Sequence, residues 1–84
     1  MLYRIFTENK NLPSITKILT PEFKGFTLIK GQGFWEGQAE KCLIIEIIIK
    51  PNLTLIKSIA NKIKRINNQE AVLIQTINNN MVYV

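Results

Sequence analysis

The side chains that most often carry out chemistry in proteins are scarce in this sequence. It contains no His and no Asp, six Glu and one Cys. The usual metal centres need clusters of His, Cys or acidic ligands, and Ser-His-Asp or Cys-His nucleophiles need an imidazole base. Cys42 has no such base and is expected to be a small apolar filler. The sequence therefore predicts no catalytic residue, no metal ligand and no cofactor, and a protein that is not an enzyme.

The glutamates do not form a recognisable acid and base pair. Glu36, Glu40 and Glu70 have a spacing that fits no hydrolase pattern, and they are expected to be solvated charges at strand ends. Glu46 differs because it is the lone charge inside a long apolar strand, where a charge must be paired or lie at a wet edge. We expect Glu46 to form a structural ion pair with Arg4 or with a lysine.

The segment 30–37, KGQGFWEG, is the most distinctive motif in the chain. Its glycines lack the GxGxxG spacing and open no helix, which excludes a dinucleotide-binding loop. Against the RNA-recognition pattern K/R-G-F/Y-G/A-F-V-x-F/Y, the segment matches one lysine, two glycines and one phenylalanine, but two stacking rings are missing. Exposed Phe34 and Trp35 beside Lys30 would still suffice to bind single strands. Single-stranded nucleic acid binding is therefore kept as an alternative function.

The two glycines of this motif, Gly31 and Gly33, are expected to shape a strand or a bulge. Adjacent strand residues point to opposite faces, so Phe34 and Trp35 cannot share one stacking platform unless a bulge intervenes. We expect one ring to pack in the core and the other to lie nearer the surface. This geometry favours a binding pocket or an interface over base stacking.

The apolar pattern along the chain predicts one α+β domain that covers residues 1–84. The predicted strands cover residues 2–7, 26–36, 41–50 and 71–77, with a further short strand at 81–84. The predicted helices are a short one that begins at residue 14 and is limited by Pro21, and an amphipathic one over 53–67. Residues 36–39 should join the middle strands as an antiparallel hairpin. The order is the βαββαβ of ferredoxin-like folds, with both helices on one face of one antiparallel sheet.

The predicted third strand, KCLIIEIIIK, is apolar on both faces, although only one face can meet the helices. A strand of this kind is normally buried on both faces. The C-terminal segment is one candidate cover for the helix-free side, and a second subunit is the favoured one, because a domain this small gains stability by association. We therefore expect a homo-oligomer formed through the sheet, with these interface residues: Cys42, Ile44, Glu46 and Ile48.

The chain is basic, with eleven Lys and Arg, six Glu and a formal net charge of +5. This balance favours an anionic partner such as nucleic acid, an anionic small molecule or an acidic protein. The polar side of the 53–67 helix provides a basic surface, which consists of Lys57, Lys62, Lys64 and Arg65. A single cysteine, the lack of a recognisable secretory signal and the lack of an apolar run near ~20 residues predict a cytoplasmic protein that does not enter membranes.

Four short motifs lie in residues 21–50 and 68–73: a Pro-x-Phe-x-Gly stretch, a Gly-x-Trp-x-Gly element, a Glu that begins the next strand, and a Gln-Glu-x-Val-Leu strand start. Together they resemble a family of small uncharacterised ferredoxin-like proteins. The chain departs from the family pattern at two positions, with an extra aromatic residue at Phe34 and with Ala71 in place of Ser. The resemblance implies the fold, and its topology is PII-like by analogy. Under that analogy the binding residues gather near the hairpin end and the start of the fourth strand, and they are Lys30, Gln32, Trp35, Glu36, Glu40, Gln69 and Glu70.

The predicted function is that of a small, oligomeric, non-enzymatic binding module. It would bind a small anionic ligand or a partner protein, in a regulatory role that is PII-like by analogy. Single-stranded nucleic acid binding is one alternative. A phage-type inhibitor of a host defence system is another, suggested by small size and basic composition without a supporting motif.

Overall fold

The structure is a computed structural model that describes residues 1–78. It is α+β, with two helices and one open antiparallel sheet of four strands in the order β2-β3-β1-β4, compatible with a ferredoxin-like fold. The elements in chain order are β1 (Leu2–Glu8), α1 (Leu12–Leu19), β2 (Thr27–Trp35), β3 (Gln38–Ile48), α2 (Leu53–Asn67) and β4 (Leu73–Ile77). The predicted strand at 81–84 lies outside the described residues.

The core lies between the two helices and one face of the sheet, which we call the helix-covered face. Burial alternates along the two central strands, so that Tyr3, Ile5 and Thr7 of β1 are buried while their neighbours are not. In β3 the same alternation buries Leu43, Ile45 and Ile47, on the side that the sequence predicted. The helices complete one core cluster with these residues: Ile15, Leu19, Ile56, Ile59, Ala60 and Ile63. The opposite side, which neither helix covers, is called the open face.

Helix α2 has the bounds that the sequence predicts, Leu53–Asn67. The side chain of Asn52 caps its first turn by accepting a hydrogen bond of 3.1 Å from the backbone N–H of Leu55. The backbone N–H of Asn52 in turn donates to the hydroxyl of Tyr3 at 2.9 Å, which ties the cap to β1. At the other end the chain leaves the helix through Asn68 in the left-handed region, with φ 52°.

Helix α1 begins two residues before the predicted position, because Pro13 is tolerated in a first helical turn. Asn11 precedes it with φ 57°, a conformation that Asn adopts more readily than most residues. The helix ends at Leu19, just before the proline that was expected to limit it.

The hairpin between β2 and β3 is tighter than predicted. Its turn contains two residues, Glu36 and Gly37, with φ 48° and 77°, the pattern of a type I′ turn. The predicted loop over 36–39 is therefore wrong, and β3 begins at Gln38. The other strand ends shift by one or two residues from their predicted positions.

The pairing of β2 with β3 continues without interruption from Thr27↔Glu46 to Trp35↔Gln38. Gly31 and Gly33 thus lie in a regular strand and not in a bulge. A Cβ at Gly31 would come within 3.2 Å of the Cys42 sulfur, so this glycine makes room for the cysteine across the strand pair.

The far half of the hairpin projects beyond the rest of the sheet. Strand β1 accompanies β3 only as far as the pair Glu8↔Cys42, and the pairs that follow involve β2 and β3 alone. We call residues 32–41 the hairpin arm. The arm accounts for the elongated shape of the molecule, 41 × 24 × 21 Å.

Candidate functional site

The open face carries its side chains in rows that cross three or four strands, because residues paired in adjacent strands lie side by side. Strand register defines a polar row, which consists of Thr27, Glu46, Arg4 and Gln75. On one side of it lies the first apolar row, which consists of Ile29, Ile44, Phe6 and Leu73. On the other side lies the second apolar row, which consists of Ile48, Leu2 and Ile77. The open face is therefore striped: apolar, polar, apolar, with Gly31, Cys42 and Glu8 at a further level beside the first apolar row.

Large apolar side chains in these rows are in contact with water. Leu73 is 65% exposed, Ile29 41% and Ile48 39%, and the other apolar members are partly exposed. The sequence predicted that Cys42, Ile44, Glu46 and Ile48 share the helix-free side of β3, and the alternation of burial along β3 places them there. Among residues 1–78 no helix packs on this face, which makes it an apolar surface of the kind that often meets another protein.

The polar row has an ion pair at its centre. Arg4 Nε donates to Glu46 Oε2 at 2.7 Å, which confirms Arg4 as the partner of the charge inside the apolar part of β3. The two side chains are 35% and 24% exposed, so water screens the pair and it contributes at most about 1 kcal/mol to stability. Guanidinium groups have five N–H donors and carboxylates have two oxygens, which leaves binding capacity at both groups.

The two rings of the hairpin arm are both exposed, Phe34 at 72% and Trp35 at 64%. The expectation that one of them packs in the core is wrong. Strand register does put them on opposite sides, because Trp35 pairs with Gln38 and Phe34 with Ala39. Phe34 points to the side on which the helices lie, but it is beyond the end of β1, where no described element covers the arm.

The residues predicted to form a binding site at the hairpin end do not share one surface. Lys30 and Gln32 lie on the same side of the strand pair as Phe34, whereas Trp35 and Glu40 lie on the opposite side. Glu36 belongs to the turn itself. The arm therefore divides these residues between two different sides.

The other two predicted site residues, Gln69 and Glu70, lie near the end of β1 and are separated from the arm by that strand. Glu70 is exposed, while the side chain of Gln69 takes part in a structural network. Its Oε1 accepts from the Thr7 hydroxyl, and also from the backbone N–H of Glu8 at 3.4 Å. Gln69 thus helps to anchor the start of β4.

The centre of that network is Asn67, a buried residue that the sequence analysis missed. It is 1% exposed. Its Nδ2 donates to Thr7 Oγ1 at 3.2 Å, to Glu8 O at 3.3 Å and to Gln69 Oε1 at 3.1 Å, and its Oδ1 accepts from Asn11 at 3.1 Å. The available signal was its position, one helical turn after Ile63 on the buried stripe. Ile66, three residues after Ile63 and thus also at helical spacing, is 39% exposed.

The predicted basic surface divides into two parts. Lys57 and Lys64, with Asn61 between them, line one wall of a groove of about 280 Å³ between α2 and the entry to β4. The rest of the groove is apolar, lined by Ala60, Ala71, Val72 and Ile74. Lys62 and Arg65 are exposed and do not line it. Within residues 1–78, none of these four cations lies within 4.0 Å of a carboxylate.

In the part of the chain that the structure describes, no three His, Cys or acidic residues come close enough to hold a metal ion. Neither of the helices is long and apolar enough to cross a membrane. No protein-family model matches the sequence, and no curated protein matches it significantly. The resemblance to small ferredoxin-like proteins therefore stays a prediction, and function is argued from the residues themselves.

Proposed function

We propose that this chain is a non-enzymatic binding module with a ferredoxin-like fold, which self-associates through its open face and binds a partner protein through the hairpin arm. The observation that carries the proposal is the exposure of Phe34 and Trp35 at the end of a two-stranded arm. The role that we propose for such a module is regulatory, and it is PII-like by analogy.

The arm holds its rings away from the core, so they contribute little to folding. An isolated two-stranded hairpin is marginally stable in water, and rings that stay exposed contribute little of the free-energy gain that burial would give. Aromatic side chains remove about 150–250 Å² each from water when they are buried, and they dominate the energetics of many protein interfaces. Burial of the rings by a partner supplies that gain.

The two sides of the arm specify the kind of partner. Phe34 is accompanied on its side by Lys30 and Lys41, because Lys41 pairs with Gln32 and thus shares the side of Phe34. A complementary surface is a cleft with apolar walls and an acidic rim, which encloses the arm from both sides. This arrangement supports a protein partner over a small ligand at the hairpin, since the predicted ligand residues are divided between the two sides.

Single-stranded nucleic acid is the main alternative for the arm. Rings on opposite sides of one ribbon do not form a continuous stacking platform, which argues against it. Protein binding and nucleic acid binding differ in salt dependence, because a nucleic acid complex loses affinity steeply as the salt concentration rises. The proposal of a phage-type inhibitor of host defence is a special case of protein binding, in which the partner is a defence protein.

Replacing both Phe34 and Trp35 with Ala is expected to leave the fold intact and to abolish partner binding. The rings are exposed, so the free energy of unfolding in urea should change by less than about 1 kcal/mol. Loss of each ring from an interface should cost at least about 2 kcal/mol, close to thirty-fold in Kd. The measurement is capture by a photo-crosslinker at residue 38, which is exposed at the end of the arm, with a crosslinker at residue 50 as the control position.

The supporting result is one acidic protein that is captured at residue 38 and lost in the double variant. The proposal fails if the double variant captures the same protein equally well. It also fails if the intact chain binds an oligothymidylate and the double variant loses only that activity, which would establish the nucleic acid alternative.

A second candidate function is the binding of a small anionic ligand, and the groove beside α2 supports it. Lys57 and Lys64 are seven residues apart on one helix, so their Cα atoms lie about 10.5 Å apart along the axis. The amide of Asn61 lies between them. An elongated ligand with an anionic group at each end matches this spacing better than a compact anion.

Replacing Lys57 and Lys64 together with Gln is expected to weaken binding of pyrophosphate or glutarate at least tenfold at fixed ionic strength, measured by amide shifts in NMR titrations. The matched control replaces Lys62 and Arg65 with Gln, which removes the same charge from the same helix outside the groove. An equal loss in both double variants would show nonspecific attraction by net charge and would eliminate the groove as a site.

A further inference from the structure

We infer that the open face packs against the open face of a second copy of this chain, related by a two-fold axis that runs parallel to the strands midway between β1 and β3. This inference rests on the self-association in the proposed function and gives it a defined geometry. It follows from the strand order and from the three rows of the open face.

The order β2-β3-β1-β4 is symmetric about the line between β3 and β1. Rotation about an axis along that line places β1 over β3 of the second copy and β2 over its β4. Positions along the strands do not change in this rotation, so each row meets the same row of the second copy. Apolar rows meet apolar rows, and the polar row meets the polar row.

The charges in the polar row are complementary in this arrangement. Arg4 comes to face Glu46 of the second copy, and Glu46 comes to face its Arg4, so that the two ion pairs form one network of four alternating charges. Both groups retain the binding capacity that such a network needs, because the pair within one chain joins only Nε of Arg4 to Oε2 of Glu46.

The flanking rows are complementary as well. Ile44 faces Phe6 of the second copy, Ile29 faces its Leu73, and on the other side of the polar row Ile48 faces Leu2. These contacts remove from water the three most exposed side chains of the rows, which are Leu73, Ile29 and Ile48. Two twisted sheets pack face to face in nearly aligned directions, as this axis requires.

The charges also discriminate against the other in-plane two-fold axis. An axis at right angles to the strands, through the polar row, would place each strand over the same strand of the second copy. Arg4 would then face Arg4, and Glu46 would face Glu46. Like charges opposed in an interface are strongly unfavourable, so only the axis parallel to the strands pairs opposite charges.

Exchange of the two charges tests this geometry without loss of the pair within each chain. The double variant R4E/E46R retains opposite charges at the two positions, so it should fold and form its own dimer. Mixed with the wild-type chain, it should form no mixed dimers, because each cross-contact would then oppose like charges. Native mass spectrometry of the mixture, with one chain isotopically labelled, measures the fraction of mixed dimers.

The single variants provide the converse experiment. Arg4→Glu alone and Glu46→Arg alone should each weaken self-association at least tenfold, because each opposes like charges across the axis. Mixed with one another, they should form a one-to-one dimer whose mass is twice the 9.7 kDa of the chain. Sedimentation velocity over a range of concentrations follows both effects, and circular dichroism checks that each single variant is folded.

The outcomes separate this inference from the proposed function on which it rests. A wild-type chain that stays monomeric at all concentrations would overturn self-association itself. A wild-type dimer that mixes freely with R4E/E46R would leave self-association standing and overturn the axis proposed here. Preferential formation of mixed dimers would assign the axis at right angles to the strands.

Discussion

Replacement of Asn67 with Ala is expected to lower the free energy of unfolding by about 2–4 kcal/mol. Asn67 is buried. Its side-chain Nδ2 donates to Thr7, Glu8 and Gln69, and its Oδ1 accepts from Asn11. Truncation removes the shared partner of these groups and leaves part of them buried without hydrogen bonds. Urea unfolding, followed by circular dichroism, measures the loss.

The matched control is Asn61→Ala, on the same helix. Asn61 is exposed, and Ala has the higher helix propensity, so this change should alter stability by no more than about 0.5 kcal/mol. If Asn67→Ala destabilised the protein no more than Asn61→Ala does, the network at the end of α2 would be incidental to stability.

Replacement of Ile48 with Lys is expected to weaken self-association at least a hundredfold, about 3 kcal/mol, because each dimer contains the new charge twice. Ile48 belongs to the second apolar row and is 39% exposed, so the isolated chain should tolerate the change and remain folded. Ile44→Lys, in the first apolar row, should act in the same direction. Sedimentation equilibrium gives the dissociation constants.

Ile66→Lys is the control for this prediction, since Ile66 has the same exposure of 39% but lies on α2, away from the open face. It should leave the dissociation constant unchanged. Equal weakening by Ile48→Lys and Ile66→Lys would contradict the assignment of the open face as the interface. Unfolding of the Ile48 variant would be detected by circular dichroism, and Ile29→Lys, at 41% exposure, would then replace it.

The elements that the sequence predicted well are those in which one periodicity decides burial. Helix α2 has a long amphipathic stripe between Asn52 and Asn68, and both of its ends were located. The two sides of β3 were also separated well, since alternation alone determines which residues share a face. The need of Glu46 for a partner was also predicted, since a charge inside an apolar strand must be paired, although Arg4 was not separated from a lysine as that partner.

Features that depend on unusual backbone conformations were located less well. The hairpin turn places Glu36 at φ 48°, where Asn or Gly is the usual signal, so the residue types at the turn did not indicate a two-residue loop. Because the turn is this tight, β2 and β3 extend far beyond β1. Phe34 therefore lies where no described element buries it. One local conformation thus explains both the early start of β3 and the exposed ring.

The candidate surfaces depend on the strand register between distant parts of the chain. The hydrophobic periodicity of the sequence does not determine that register. Alternation assigns a residue to a face, but not to a level along the strand. Thr27 and Gln75 share the polar row only because β1 and β3 lie between them in the sheet. The predicted grouping of Gln69 with the hairpin residues failed for the same reason, since β1 separates them.

The tight turn of the hairpin also determines the order in which the chain can assemble. Strands β2 and β3 are neighbours in sequence, and hairpins of this kind close within about 1–10 μs. Strand β1 must instead find β3 across a helix and a strand, and β4 is the last element of the described chain, so both pairings close long loops at a greater entropic cost. The hairpin is therefore the natural nucleus for sheet formation. Its arm, which presents two rings to a partner in the folded protein, thus belongs to the segment that we expect to form among the first during folding.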